Sequence, residues 1–152
     1  MAGFIALALG GPFISFLLSP FYLSDKKQKF VKVPGFNALP PEQPTKMVFP
    51  YIQKDSFLTQ NQTLDVWVVK HSPMAATVYS PMCTHLGCQY DWKGDQQQFV
   101  CPCHASIFDP SGKVTAGPAP RPLDMLPYKI ENGELFVQWE VYKPGTSKKI
   151  EA

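Results

Sequence analysis

Cys83-Thr84-His85-Leu86-Gly87-Cys88 and Cys101-Pro102-Cys103-His104 hold all 4 cysteines of the chain and two of its 3 histidines. Each half offers a thiolate and an imidazole at short spacing, Cys83-x-His85 and Cys101-x-x-His104, and each half carries one further cysteine. Sulfur and ring nitrogen crowded together in this way are metal ligands before they are anything else. Two arrangements suit them. In a mixed-ligand two-iron cluster the cysteines hold one iron and the histidines the other, with sulfides bridging. A structural zinc ion also takes two cysteines and two histidines. Zinc-finger spacing, however, sets a cysteine pair well ahead of a histidine pair. Here the two alternate within each half, and zinc leaves Cys88 and Cys103 without a role.

The rest of the chain reads as the scaffold for such a site. Its 152 residues are 45% hydrophobic, with 16 prolines and 10 glycines, which suits one compact, loop-rich β domain with an accessory segment better than a helical bundle. A net charge of +2 is too small to imply nucleic acid, and the basic residues are scattered apart from Lys26, Lys27, Lys29 and the pair Lys148 and Lys149. Short runs rich in β-branched and aromatic residues predict strands over 30–33, 46–52, 64–70, 75–80, 89–92, 97–101, 126–130 and 134–139. Gly94-Asp95 and Asn132-Gly133 mark hairpins, the second in the form that suits a type I′ turn. The prolines from Pro34 to Pro44 exclude helix there, and 55–60 allows one short helix. The expectation is an all-β antiparallel sandwich with the metal site at the tip of a small subdomain over about 82–120. Trp67, Trp92 and Trp139 fall in strand contexts and read as core or near-core residues. His71 precedes Ser72-Pro73 and reads as a surface turn residue, not a ligand.

Residues 2–23 contain no charged side chain, and Phe4, Ile5, Leu7, Leu9, Phe13, Ile14, Phe16, Leu17, Leu18 and Phe21 make this segment long enough to cross a bilayer as one helix. Gly10, Gly11 and Pro12 loosen or kink it. The polar run Ser24-Asp25-Lys26-Lys27-Gln28-Lys29 has no apolar periodicity and reads as a hinge. The organisation expected is therefore an anchor over 1–23, a hinge over 24–29, a head over 30–143 and a polar tail over 144–152.

At Cys-Thr-His-Leu-Gly-Cys, at Cys-Pro-Cys-His followed by Ala105 and Ser106, and at Gly117-Pro118-Ala119-Pro120, the chain closely resembles the Rieske iron-sulfur proteins of the cytochrome bc1 and b6f families. The likeness runs from the apolar N-terminus to about Trp139. It implies one [2Fe-2S] cluster held by Cys83 and Cys101 on one iron and by His85 and His104 on the other, with Cys88 and Cys103 in a disulfide joining the two loops. It also implies that Leu86 and Pro118 shield the cluster and that Ser106 bonds a bridging sulfide. Rieske oxygenases and their ferredoxins share the ligand motif but normally lack the extra cysteine in each loop.

The function implied is electron transfer within a quinol:cytochrome c oxidoreductase. His104 would accept the hydrogen bond and proton of the quinol, and a cytochrome b and a c-type cytochrome would be the partners in a dimeric complex. An alternative with the same ligand motif is the Rieske subunit of an enzyme such as arsenite oxidase. The resemblance places the anchor in a membrane, for which a bacterial cytoplasmic membrane is favoured, and the head on its outer, periplasmic side. An oxidising face suits a lasting disulfide, although the lysines after the anchor alone would predict the opposite orientation. The family's twin-arginine export sequence is not visible before the anchor, where the chain reads Met1-Ala2-Gly3. Phe108 departs from the high-potential members, which have a tyrosine there to bond a ligand thiolate. The missing bond implies a lowered potential and favours menaquinol over ubiquinol.

Overall fold

A computed structural model of the protein describes residues 30–55 and 58–152, with Ile14 the only described residue before them. The anchor and hinge expected over 1–29 thus lie outside the described residues. Among those described, no helix is long and apolar enough to cross a membrane. Among the described residues, ten strands run in chain order: β1 (Phe30–Val33), β2 (Thr45–Asp55), β3 (Leu58–Ser72), β4 (Ala75–Tyr79), β5 (Asp91–Lys93), β6 (Gln98–Val100), β7 (Ile107–Phe108), β8 (Val114–Ala116), β9 (Tyr128–Glu131) and β10 (Glu134–Gln138). They form three antiparallel sheets, ordered β1-β10-β9, β2-β3-β4 and β5-β6-β7-β8.

The first two sheets pack as a sandwich around Val33, Phe49, Val66, Val68, Val78, Leu135 and Val137. These residues follow the strand period, in which alternate side chains share a face. Burying each such side chain contributes about 1.5–3 kcal/mol, so this aliphatic layer holds the base of the molecule. Along β3 the other alternate residues, Trp67 and Val69, point away from that layer into a second core shared with the third sheet. One strand is therefore sandwiched between two cores, and the third sheet rides on it.

The hairpin of β9 and β10 turns at Asn132 and Gly133, both with positive φ (53° and 77°), the backbone a type I′ turn demands. The β5–β6 hairpin also forms, but its left-handed residue is Gln97 (φ 50°), not Gly94 or Asp95. Two expectations need correction. The short helix allowed over 55–60 does not form at the described residues of that stretch: Asp55 ends β2 and pairs with Leu58, and 58–60 belong to β3. The segment after Pro34 includes a single 3-10 turn at Phe36–Ala38, where Phe36 is driven into the base core. β7 and β8 had no sequence signal, being too short to show a period.

Candidate metal centre

The third sheet exists to present two loops. In the first, the Cys83 amide donates to the Cys88 carbonyl (2.7 Å), and in the second the Cys101 amide donates to the Ser106 carbonyl (2.9 Å). Each loop is thus closed across the same interval of five residues, and each closure begins at a cysteine. Gly87 tightens the first turn further by donating to the Cys83 carbonyl at 2.9 Å. A disulfide joins Cys88 to Cys103 with Cα atoms 6.5 Å apart. The sulfurs of Cys88, Cys101 and Cys103 lie within 4.8 Å of one another, but the disulfide takes two of them and leaves Cys101 free.

Cys83 and Cys101 are the free thiols, both buried, at 1% and 2% exposure. The rings of His85 and His104 meet edge to face with centroids 4.8 Å apart. His85 is half-buried and His104 is exposed. The donors named from the sequence thus form two pairs, Cys83 beside Cys101 in the interior and His85 against His104 nearer the surface. Burial pushes the Cys83 thiol up, and the Cys101 thiol beside it adds to that, while the His85 amide and the Ser106 hydroxyl pull the other way. A thiol that holds its proton must release it to bind a metal, so a metal bound through Cys83 would displace a proton.

Ser106 has 0% exposure, and its hydroxyl oxygen finds no hydrogen-bond partner of good geometry. A buried, unsatisfied hydroxyl is costly. One pointed toward the Cys83 sulfur is well placed to donate to an anionic group bound between the loops, which fits a sulfide-bridged cluster. Ala105 separates the exposed His104 from the buried Ser106, and its positive φ (54°) is what turns the chain between them. Gly117, the first residue of the proline loop, lies flat on this turn. A Cβ built there would stand 2.5 Å from Ser106 Cα and 2.6 Å from the Ala105 carbonyl oxygen, so only glycine lets the two segments approach. Pro118 is exposed at this rim and Leu86, 59% exposed, tops the opposite loop.

Beneath the thiols, Trp67, Tyr79, Tyr90, Phe99 and Phe108 fill the second core, with Phe99 edge-on to Trp67, Tyr79 and Tyr90 at 5.4–5.8 Å. The Tyr90 hydroxyl is satisfied by the Ser80 carbonyl at 2.6 Å. His71 stays apart from the centre: it is exposed, between the Glu42 carboxylate (3.0 Å) and Thr77 Oγ1 (2.9 Å). Sequence reading missed three buried polar residues, Thr84 within the first loop and Arg121 and Asp124 beside it. The only available signal was an arginine three residues ahead of an aspartate in a proline-flanked stretch.

Residues 47–127 match the family model described as the Rieske [2Fe-2S] domain. The chain is 30% identical over 141 residues, 90% of its own length and 83% of the relative's, to the menaquinol:cytochrome c reductase iron-sulfur subunit of Bacillus subtilis. It is 43% identical over 68 residues to a cytochrome b6-f complex iron-sulfur subunit of Synechocystis, covering 44% of this chain and 38% of that one. Among solved structures, a chain of a hyperthermophilic respiratory complex III shares 26% identity over 88% of this chain and 97% of the other, with a TM-score of 0.44. The zinc alternative falls with these matches, and the chain belongs to the Rieske iron-sulfur proteins of the cytochrome bc1 and b6f type, whose cofactor is a [2Fe-2S] cluster.

Proposed function

We propose that this protein is the electron-transfer subunit of a membrane quinol:cytochrome c oxidoreductase, with Cys83 and Cys101 holding one iron and His85 and His104 the other. The observation that carries this is the pairing of two adjoining buried thiols, Cys83 and Cys101, together with the edge-to-face pair of His85 and His104, the latter open to solvent. The cluster supplies a site that accepts and returns one electron at a potential raised by its neutral ligands.

The chain's own residues do the rest. His104, exposed at the tip, accepts the hydrogen bond of a quinol hydroxyl and takes its proton. Leu86 and Pro118 form an apolar rim that excludes water from that contact. The buried Ser106 hydroxyl, without a partner of its own, would donate to a bound cluster and stabilise its more negative, reduced state. Phe108, fully buried at the corresponding depth, donates nothing. That absence lowers the potential and, with the menaquinol named for the Bacillus relative, makes menaquinol the favoured donor. The electron leaves to a c-type cytochrome or equivalent acceptor after the head moves away from a cytochrome b partner in a dimeric complex. The anchor over 1–23, the hinge over 24–29 and a periplasmic head, with the cluster subdomain at 82–120, belong to the same proposal.

The deciding experiment is a redox titration of the purified protein followed by electron paramagnetic resonance. The reduced protein should hold two irons per chain and show the rhombic spectrum of a nitrogen-ligated cluster. His85→Ala and His104→Ala should each lose the iron. The midpoint should fall with rising pH, by up to about 59 mV per pH unit where one proton accompanies each electron. Stoichiometric zinc, or a midpoint independent of pH while the protein stays folded, rejects the reading. Purification from membranes with haem b supports the complex; copurification with molybdenum replaces it.

A further inference from the structure

Thr84 stands between Cys83 and His85 and is 1% exposed. It is held from two directions. Its hydroxyl donates to the Arg121 carbonyl at 2.7 Å, and its carbonyl accepts the Gly145 amide at 2.9 Å. The second contact comes from the far C-terminal segment, beyond the 47–127 that match the family model. That segment folds back on itself, with the Lys143 amide donating to the Ile150 carbonyl and the Ala152 amide to the Val141 carbonyl. A Cβ built on Gly145 (φ 73°) would stand 3.4 Å from the His85 carbonyl oxygen, and one built on Gly87 would touch Pro144 at 3.8 Å. The polar tail is therefore the outer wall of the first ligand loop.

Arg121 draws the tail there. Its Nε and Nη2 donate to the two carboxylate oxygens of Asp124 at 3.0 and 2.7 Å, with the two side chains only 5% and 7% exposed. Nη1 donates to the Thr146 carbonyl (2.6 Å) and hydroxyl (3.0 Å), and Nη2 also reaches the Lys143 carbonyl (3.0 Å). All five guanidinium protons are thus used, three of them on the tail. Lysine has no such planar fork. Asp124 neutralises and orients the arginine; the arginine's remaining donors go to the Lys143 and Thr146 carbonyls and the Thr146 hydroxyl, on either side of Gly145.

We infer that Arg121 is a positioning residue for the cluster: by binding Lys143 and Thr146 it seats the C-terminal segment on Thr84, which fixes the peptide leading into His85 and so the orientation of that ring. The inference rests on His85 being a ligand, as proposed above. The second loop has its own support in Gly117 and the β6–β7 pairing, so loss of the clamp acts on the His85 side alone.

The test uses the full chain with its cluster assembled. Arg121→Met combined with Asp124→Leu removes both charges together and leaves no buried ion unpaired. With its β-sheet circular dichroism unchanged, this variant should give a reduced spectrum with shifted or broadened g-values. It should also lose its visible absorbance about five- to tenfold faster on warming, the lower range of site-to-site coupling. Arg121→Lys should recover little of either. Hydrogen exchange on the unaltered chain gives an independent reading, because coupling is reciprocal. The Gly145 amide should be protected in the cluster-loaded protein and exchange at least about tenfold faster once the cluster is removed. A folded double variant with the parent's g-values and bleaching rate overturns the clamp, and so does a Gly145 amide that exchanges alike in both states; if the double variant does not fold, the exchange comparison decides. A parent protein without a nitrogen-ligated spectrum removes the ligand assignment itself and the clamp with it, whereas a normal parent spectrum with an insensitive variant removes the clamp only.

Discussion

The base core and the tip core lie on opposite faces of one strand and are built by different means. Around the base, strands of up to 15 residues carry Val33, Val66, Val68, Val78, Leu135 and Val137 into an aliphatic layer. Around the tip, strands of 2 or 3 residues enclose two thiols and five aromatic rings. Strands that short cannot hold a sheet by their own ladders. The tip replaces ladder length with cross-links: the Cys88–Cys103 disulfide, the Arg121–Asp124 pair, the close seat of Gly117 and, when loaded, the cluster. The base is stable as a sheet protein, whereas the tip is stable as a tied object, and its ties converge on the ligand loops.

Removing a large side chain from each core tests that division most severely. Phe99→Ala opens the fully buried centre of the tip and should cost about 3–5 kcal/mol together with the cluster. Leu135→Ala in the base should cost about 2–5 kcal/mol in denaturant unfolding while the protein that remains folded keeps its iron. If both variants lose iron in step with stability, the two cores are one. Next in size, replacing Cys88 and Cys103 together with serine removes a tie across 15 residues and should cost about 3 kcal/mol. The loss should appear as faster hydrogen exchange over 91–116, with 64–70 little changed. Uniform acceleration would place the disulfide's effect in the whole domain.

A smaller effect separates the cores by pH. Burial first, and the Asp109 carboxylate second, push the Tyr79 hydroxyl from 10.0 up to about 12. Its protonated form is thus favoured by folding: that contribution is complete below pH 10 and is lost as the pH rises toward 12. Tyr79 belongs to the tip core, so alkaline titration should loosen the tip, and Tyr79→Phe should flatten that part of the loss. Tyrosinate absorbance followed beside the cluster's visible bands reports both. The smallest change is electronic. Phe108→Tyr should raise the midpoint potential and Ser106→Ala should lower it, each by roughly 40 mV for one hydrogen bond of about 1 kcal/mol. A fall on introducing tyrosine means that its hydroxyl does not reach the thiolate.

The two regions also differ in what their sequences disclose. In the base, alternation over 64–70 and the Asn132-Gly133 turn are local signals, and the strands and the type I′ geometry follow from them. At the tip, ligand spacing names the donors but not the scaffold, since β7 and β8 are too short for a period. Their order comes from Phe99 meeting Phe108 across a ladder, a contact between residues nine apart. Arg121 reads as a surface charge, because arginine usually is one. Its burial depends on Asp124 and on carbonyls more than 20 residues later, which no local pattern encodes.

The double burial of β3 has a consequence for assembly errors. Val66 and Val68 face the base while Trp67 and Val69 face the tip, and a slip of one residue reverses both assignments. Tryptophan would then be forced among valines, and the aromatic nest beneath the ligands would receive a valine where it needs an indole. A misaligned β3 therefore fails in two places at once and has no half-correct state in which to rest. The strand acts as a ruler shared by both halves: the two loops meet only in molecules whose base is threaded in the same frame.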